Sequence, residues 1–257
     1  MESHVLHEKA EGVLTLTLNR PEKKNALTRA MYKRLGEEID LAANDPEVRC
    51  VLIQAEGDIF TAGNDINDFA ATNASSEGTG HWEGNPLLAA LARAKTPLVA
   101  AVNGRAVGVG VTMLLHCDLV YVSDDALLTT PFVNLGLVPE AASSLTLPAR
   151  IGHTRAFAMF VLGEAVSAQE AVAWGIANKA VPRAELREKA REAARAVAAR
   201  PPAAVAITKA LMREPERLAQ RMEVEGGHFV AQLKSPEARE AFAAFAEKRK
   251  PDFSRLR

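Results

Sequence analysis

Cysteine is scarce in this sequence: only Cys50 and Cys117 occur among 257 residues, and both lie inside apolar segments. Cysteines in such surroundings are far more often buried free thiols than a disulfide or a metal pair, so we expect no disulfide and no metal site. Aromatic residues make up only 5% of the chain, and 31 Lys and Arg nearly balance 32 Asp and Glu. Because no dense basic run lies beside aromatics, we expect no binding to nucleic acid.

Long hydrophobic runs are also missing. The longest apolar stretches are broken by Gly, Asn or charged residues well short of a membrane span, and the N-terminal stretch MESHVLHEKAEG lacks the apolar core of a signal peptide. We therefore expect a cytoplasmic protein that does not enter a membrane. A chain of this length with 48% hydrophobic residues can bury a sizeable core, as one large domain or one domain with a small appendage.

Strand and helix patterns alternate through the first half of the chain. VLHEKAEGVLTLTLNRP alternates apolar and polar residues around a turn at Glu11 and Gly12, which predicts a β-hairpin. Thr28 caps a helical pattern, VRCVLIQAEG reads as a buried strand, and a surface loop is expected over residues 70–80. Strands PLVAAVNG and DLVYVSD then enclose the helical segment GVGVTMLLHC. This order predicts an α/β protein with parallel βαβ units and right-handed crossovers.

The last third of the chain is mostly helical. Ser167 and Glu170 have the spacing of a capping box, and Ser235 precedes the last of three consecutive helical patterns. Since helices without an intervening strand leave the α/β order behind, we divide the chain into a core over residues 1–200 and a helical region over residues 201–257.

Two glycine-containing turns are candidates for ligand contact. IFTAGND, residues 59–65, follows a buried strand, and its small residues would let backbone amides approach a ligand. GRAVGVGVT, residues 104–112, joins a strand to a helix, so the amides near Val109 and Gly110 lie at the positive end of the helix dipole. Neither turn is a P-loop or a complete dinucleotide fingerprint, and packing alone can explain either one.

Glu140 is the most unusual charged residue of the chain. It is the single charged residue between Asp125 and Arg150, in the segment LVPEAASSL. A glutamate after proline is common in the first turn of a helix, where its charge favours the N-terminal dipole. The other interpretation is a catalytic acid or base that works in an apolar environment.

The order of these segments resembles the crotonase, or enoyl-CoA hydratase/isomerase, superfamily over nearly the whole chain. The similarity lies in NRPEKKNALT, FTAGNDINDF, AAVNGRAVGVGVTMLLHCDLV and PFVNLGLVPEAASSLTLPARIG. The resemblance implies a crotonase (ClpP-like) spiral of ββα units with a C-terminal helical region that covers the pocket. It also implies binding of acyl-CoA thioesters without a further cofactor, and a homotrimer or dimer of trimers. We expect the apolar surface for subunit contacts to come from Phe229, Phe242 and Phe245.

Motif alignment with this superfamily assigns the catalytic groups. The backbone amides of Ala62 and Val109 correspond to an oxyanion hole, which would stabilise the charge on a thioester carbonyl. Hydratases of the superfamily hold water with two glutamates, and the matching residues here are Thr112 and Phe132. PFVNLGLVPEAASS instead resembles Δ3,Δ2-enoyl-CoA isomerases, whose single acid/base corresponds to Glu140. One base suffices to move a double bond from the 3 to the 2 position.

The resemblance also implies a set of substrate-binding residues. Coenzyme A contacts are expected on the segment NRPEKKNALT and around the two glycine turns, with an apolar wall in the acyl pocket. The residues are Lys23, Lys24, Ala26, Asn64, Asp65, Ile66, Gly108 and Phe132. Three alternatives stay open: an enoyl-CoA hydratase, a non-catalytic acyl-CoA-binding homologue and an RNA-binding homologue, the last disfavoured by the near-neutral charge.

Overall fold

The computed structural model describes residues 4–65, 85–254 and 256. In chain order, the strands β1 to β9 are Val5–Ala10, Val13–Leu18, Cys50–Ala55, Leu98–Val102, Arg105–Val107, Leu119–Ser123, Leu127–Thr129, Val166–Ser167 and Lys179–Val181. The helices α1 to α10 are Arg29–Ala42, Pro86–Arg93, Val109–Thr112, Ser143–Ile151, His153–Phe157, Ala168–Ala173, Leu186–Ala198, Pro202–Leu211, Pro215–Leu233 and Pro236–Ala246. The surface loop expected over residues 70–80 lies outside the described residues.

A mixed sheet of order β1-β2-β3-β4-β6-β9 forms the centre of the fold. The predicted hairpin is confirmed, since β1 and β2 pair antiparallel with Val5 opposite Leu18. Its turn has positive φ at both central residues, 53° at Glu11 and 76° at Gly12. Such turns match the twist of the flanking strands.

The remaining pairs of this sheet are parallel, as the alternation of strands and helices predicts. Every residue of β3 and β4 is buried, which is typical of parallel strands covered on both faces. A smaller sheet of order β5-β7-β8 lies beside it.

Helices cover both faces of the large sheet. On one face, α7 places Leu186, Ala190 and Ala194 in one apolar cluster with Cys50 of β3 and Val99 of β4. The opposite face packs against the main core, to which α1 and α2 contribute. Both cysteines are buried free thiols, as expected, and burial raises the pKa of each to about 12.

The predicted helix caps are present in the structure. Thr28 Oγ1 accepts a hydrogen bond from the Met31 amide at the start of α1. Ser167 and Glu170 form a complete capping box on α6, and Ser235 caps α10. These signals are local in sequence, so the chain alone specifies them.

Two helical segments change their winding along their length, and the first is the predicted helix GVGVTMLLHC. Residues 108–117 contain the one-turn α3 followed by a 3₁₀ turn over Met113–His116. The tighter 3₁₀ spacing ends with the Cys117 amide bonded to Leu114 O, after which the chain enters β6. The segment HTRAFAMFVLG changes from α5 to a wider π turn over Ala158–Leu162.

The C-terminal helices α9 and α10 pack onto the core of the fold. Phe229, Leu233 and Ala238 belong to the main apolar core. By contrast, α8 exposes apolar side chains: Ile207 is 61% exposed and Leu211 is 83% exposed. Within the part of the chain that the structure describes, no helix combines the length and apolar character needed to cross a membrane.

Candidate active site

Glu140 lies in the loop before α4 and is 2% exposed. Its Oε1 accepts a hydrogen bond of 2.5 Å from Thr112 Oγ1 at the end of α3. Its Oε2 is buried and has no hydrogen-bond partner among the described residues. The carboxyl group is therefore held on one side and available on the other.

The environment of Glu140 raises its pKa from 4.5 to about 8. Burial is the main cause, because it disfavours the charged form. The hydrogen bond from Thr112 acts in the opposite direction, and repulsion from Glu225 adds to the increase. A carboxyl group with a pKa near neutrality can both accept and return a proton.

The backbone after Glu140 is strained. Ala141 and Ala142 both have positive φ, 61° and 55°, a conformation that alanine rarely adopts. His116 lies beneath this turn: its Nε2 is 2.7 Å from Ala141 O, and its Nδ1 is 3.1 Å from an Arg213 nitrogen. A carbonyl only accepts and a guanidinium only donates, so these partners assign neutral His116 with the proton on Nε2. His116 is thus the hydrogen-bonded core residue that its apolar helix suggests.

Two backbone amides of the glycine-containing turns are candidates for binding a carbonyl oxygen. Val109 begins α3, and within the described residues its N–H donates no hydrogen bond. The Ala62 N–H, the second amide assigned from the sequence, instead donates to Lys24 O at 2.9 Å. The N–H of Asn64 has no acceptor among the described residues. The structure therefore places an available amide at Asn64, two residues beyond the predicted position.

Glycines bring these two amide-bearing segments together. A Cβ on Gly110 would lie 2.3 Å from Thr61 Cγ2, and one on Gly63 would lie 3.0 Å from Val107 O. Gly108 has φ 55° and ψ −116°, which a residue with a side chain does not readily adopt. The close packing of the two turns thus depends on the absence of side chains.

A cavity of about 700 Å³ lies against Glu140. Its lining is mostly apolar and comes largely from α2 and α9, with Leu88, Ala92, Met222 and Phe229 among the residues. Asn85, the N-cap of α2, also lines it, and its buried Nδ2 has no partner in the described structure. The cavity thus presents an unpaired carboxyl oxygen and an unpaired amide donor to an apolar ligand.

The segment predicted to contact coenzyme A forms an exposed loop. Lys23 ends a 3₁₀ turn over Pro21–Lys23 and Lys24 follows it; both side chains are exposed. Ala26 is half-buried. The bond from Ala62 to Lys24 O joins this loop to the second glycine-containing segment.

Asp65 is held by an ion pair. It is 8% exposed and accepts a 2.6 Å hydrogen bond from Arg20, which also donates to Ala26 O at 3.1 Å. Its carboxylate therefore stabilises the loop that carries Ala26. Ile66 lies outside the described residues. Across those residues, no three His, Cys, Asp or Glu side chains come together as metal ligands.

Phe132 does not line the cavity beside Glu140. It is buried against Phe160, with ring centroids 6.1 Å apart, and is absent from the described lining of the cavity. The described lining of that cavity comes largely from α2 and α9. The role of Phe132 as an apolar wall of the acyl pocket stays a prediction.

Sequence reasoning missed three polar residues of the site. Asn85 and Glu225 lie far from Glu140 in sequence, and only the packing of α2 and α9 brings them close. The motif alignment identifies Thr112 only as the replacement for a hydratase glutamate, whereas in the structure it donates directly to Glu140. The Asn-Pro pair at the start of α2 is a local signal for a cap, though not for a site.

The described residues thus combine a mixed β/α fold with a buried carboxyl group and with backbone amides that have no described acceptor. The sequence profile of the family described as enoyl-CoA hydratase/isomerase matches residues 8–255. The chain belongs to this family, and its resemblance to the crotonase superfamily and its fold are confirmed.

Individual relatives have different activities. The chain is 32% identical to 1,2-epoxyphenylacetyl-CoA isomerase of Escherichia coli strain K12, over 99% of each chain. It is 36% identical to enoyl-CoA delta isomerase 2 of Rattus norvegicus, over 80% of this chain and 53% of the relative. A solved enoyl-CoA hydratase/isomerase from Pseudoalteromonas atlantica T6c is similar with TM-score 0.91 and 41% identity, over 98% of this chain and 100% of that one. Other relatives, 31% and 34% identical, are named hydratase and dehydratase.

Proposed function

We propose that this protein is an enoyl-CoA isomerase that moves a double bond from the 3 to the 2 position of an acyl-CoA thioester. The observation that carries the proposal is the single available oxygen of buried Glu140, which lines an apolar cavity with its pKa raised to about 8. A single group that can take and return a proton is what a 1,3 proton shift needs.

The proposed reaction has two proton transfers. Ionised Glu140 takes a proton from C2 of the 3-enoyl thioester, and the electron pair delocalises through the double bond and the carbonyl as a dienolate. The same carboxyl group then returns the proton to C4, which gives the conjugated 2-enoyl product. No group is gained or lost, and the base is regenerated.

Backbone amides would stabilise the dienolate. Val109 is one proposed donor, because its N–H lies at the first turn of α3 with no acceptor among the described residues. As the second donor we propose the amide of Asn64 rather than that of Ala62, because the Ala62 amide already donates to Lys24 O. Preorganised amides lower the barrier because they need no reorganisation as charge develops on the oxygen.

Hydration of a 2-enoyl thioester is the competing activity. The site lacks the two glutamates that would hold and activate the water. Thr112 and Phe132 occupy the two positions where hydratases of the superfamily have glutamates. Thr112 donates to Glu140, and Phe132 packs against Phe160. Two related proteins are also named as acyl-CoA isomerases, which supports the proposed reaction class.

The remaining parts of the proposal concern binding and assembly. Exposed Lys23 and Lys24 would meet the phosphates of coenzyme A as cations. We also propose a cytoplasmic homotrimer or dimer of trimers, in which residues 201–257 form the helical region for subunit contacts and the cover of the pocket. In the described structure, α9 of this region lines the cavity.

The decisive assay compares two substrates. The protein is incubated with a panel of 3-enoyl-CoA thioesters and, separately, with 2-enoyl-CoA. We expect absorbance of the conjugated thioester to appear from the first and little hydration of the second. Rapid hydration of 2-enoyl-CoA without conversion of any 3-enoyl-CoA would overturn the isomerase proposal.

A further inference from the structure

Glu225 of α9 holds the backbone that follows Glu140. Its Oε2 accepts a 2.6 Å hydrogen bond from the Ala142 amide, and its Oε1 accepts a 2.9 Å bond from the Ser144 amide. The side chain reaches across 81 and 83 positions of sequence to make these bonds. One carboxylate thus binds both sides of the first residue of α4.

The start of α4 needs such a group. Its N-cap position is Ala142, which has no side-chain oxygen and a positive φ of 55°. The first amides of a helix lack acceptors within the helix, so they require a partner from elsewhere. Glu225 supplies that partner and places its negative charge at the positive end of α4.

The same contacts fix a strained conformation. Two consecutive alanines with positive φ persist only when surrounding groups hold them. His116 binds the turn through Ala141 O, while Glu225 binds it through Ala142 and Ser144. The turn that carries Glu140 is therefore held by groups from two different parts of the chain.

The burial of Glu225 is unfavourable for the free energy of folding. It is 5% exposed and forms no ion pair among the described residues. Burial raises its pKa, while hydrogen bonds from the Ser144 side chain and from the Ser144 and Ala142 amides, together with the charge of Arg221, lower it. A buried carboxylate without a cationic partner is unfavourable for stability alone, which points to a role at the site it contacts.

From these contacts we propose that Glu225 is a positioning residue, which fixes the turn behind Glu140 and places a second carboxylate against it. The proposal rests on the proposed role of Glu140 as the base. It gives α9 two functions, because the helix both lines the cavity and sets the geometry of the catalytic loop. Repulsion from Glu225 adds to the increase in the pKa of Glu140 that burial causes, while the hydrogen bond from Thr112 opposes that increase.

Other polar groups surround the pair from the neighbouring elements. Thr112 donates to Glu140, and the buried Tyr32 of α1 interacts with its charge. The further titratable or charged groups near the cavity and the turn are Arg93 on α2, His116 after α3, and Arg221 and Glu223 on α9. Of all these, Glu225 is the group whose oxygens bond directly to the turn amides.

The test compares Glu225→Gln and Glu225→Asp with the parent. Glu225→Gln keeps the shape but removes the charge and one acceptor. Glu225→Asp keeps the charge but shortens the reach. Glu216→Gln is the matched control, since Glu216 is an exposed carboxylate in the first turn of the same helix. Three quantities are measured: kcat/KM against pH on 3-enoyl-CoA, amide hydrogen exchange over residues 141–146, and the carboxyl titration of Glu140 by infrared difference spectroscopy.

Glu225→Gln should shift the acidic limb of kcat/KM and the Glu140 titration to lower pH, because a like charge is removed. Plateau turnover should fall about 10-fold or more, since small displacements of a catalytic group are costly. Exchange over residues 141–146 should become faster. Glu225→Asp should lower turnover and speed amide exchange over residues 141–146, while the acidic limb of its kcat/KM profile stays at nearly the parent's pH. If Glu225→Gln does not fold, the results for Glu225→Asp test the proposal. Glu216→Gln should match the parent.

The proposal is overturned if the folded Glu225 variants keep the parent's turn exchange and its Glu140 titration. That outcome is distinct from failure of the proposed function. If the parent does not isomerise any 3-enoyl-CoA but exchange and titration change as expected, the reaction is wrong and the positioning role stands. If the parent isomerises and the variants behave like it, the positioning role is wrong and the reaction stands.

Discussion

At the scale of single residues, the environment of Glu140 determines what the site can do. The carboxyl group is buried, has one bonded and one unpaired oxygen, and faces an apolar cavity. Its pKa of about 8 means that the ionised base becomes abundant only in mildly alkaline solution. Activity and stability should therefore depend on pH in opposite directions.

The activity of the parent should rise with pH. Because Glu140 must be ionised to take the first proton, kcat/KM on 3-enoyl-CoA should increase tenfold per pH unit below its pKa and level off above about 8. Steady-state rates between pH 5.5 and 9.5 measure this rise in kcat/KM. A profile that is already flat at pH 6 would show that the base has an ordinary carboxyl pKa.

The contribution of Glu140 to the stability of the parent should fall over the same range. The pKa of Glu140 is about 8 in the folded state, against 4.5 for the ordinary value. As pH rises above 4.5, the unfolded chain releases this proton first, so unfolding becomes more favourable until pH reaches about 8. The group's contribution to stability is thus fully present at low pH and lost at high pH.

Glu140→Gln removes the loss of stability that the titration of Glu140 causes as pH rises. Relative to the parent, the variant should gain roughly 1 kcal/mol of unfolding free energy for each pH unit between about 5 and 8. Urea denaturation at pH 5 and at pH 8.5 measures the difference. An equal difference at both pH values would mean that Glu140 titrates normally in the folded protein.

At the scale of elements, two glycine-dependent turns and one strained turn build the site. The ladder around Asn64 shows why its amide is available: Leu27 N–H donates to Gly63 O, and Asp65 N–H donates to Leu27 O. These bonds direct the Asn64 N–H away from Leu27, whereas Ala62 N–H bonds to Lys24 O. Removing the two amides should therefore have different consequences.

Asn64→Pro should lower turnover by roughly 10² to 10³ in the folded protein, since it deletes a proposed oxyanion donor that has no acceptor among the described residues. Asn64→Ala is the matched control: it keeps the amide and loses the side-chain contact with Tyr32.

Ala62→Pro should instead destabilise the loop, because it breaks the hydrogen bond from the Ala62 amide to Lys24 O. Rates per folded molecule and thermal unfolding separate these effects. Normal turnover of folded Asn64→Pro would exclude Asn64 as a donor.

The sequence predicts local features of these elements and misses contacts between distant ones. The hairpin at Glu11, the cap at Ser167 and the lone charge of Glu140 are signals within a few residues. The pairing of Glu225 with Ala142 and the availability of the Asn64 amide depend on how separate segments pack. No spacing in the chain encodes those contacts, so motif alignment gives no sign that the Ala62 amide is bonded to Lys24 O.

At the scale of the whole molecule, the helical region both completes the cavity and exposes apolar surface. The prediction that Phe229 supplies subunit contacts is wrong, because Phe229 is 1% exposed and lies in the core. Phe245 is 59% exposed. Two apolar residues at the end of α8 have a larger exposed fraction, Leu211 at 83% and Met212 at 80%. Such a patch is typical of a surface that another chain covers.

We expect α8 to lie in the interface of the proposed trimer. Leu211→Glu should shift the sedimentation pattern towards monomer at micromolar concentration, because it buries a charge in an apolar contact. Leu41→Glu on α1 is the matched control, since Leu41 is also exposed, at 63%. A parent that sediments as a stable monomer would contradict the assembly. An oligomer that Leu211→Glu leaves intact would place the interface elsewhere, and equal dissociation by Leu41→Glu would show that the effect is not specific to α8.

The central claim is that Glu140 is the base of a 1,3 proton shift, and Glu140→Gln tests it most directly. This substitution keeps the shape of the side chain and the apolar cavity but removes the group that accepts the proton. Isomerisation of 3-enoyl-CoA by folded protein should fall at least about 10²-fold, while acyl-CoA binding, measured by calorimetry, should persist. Turnover within a few-fold of the parent would contradict the account and show that the proton is taken by another group.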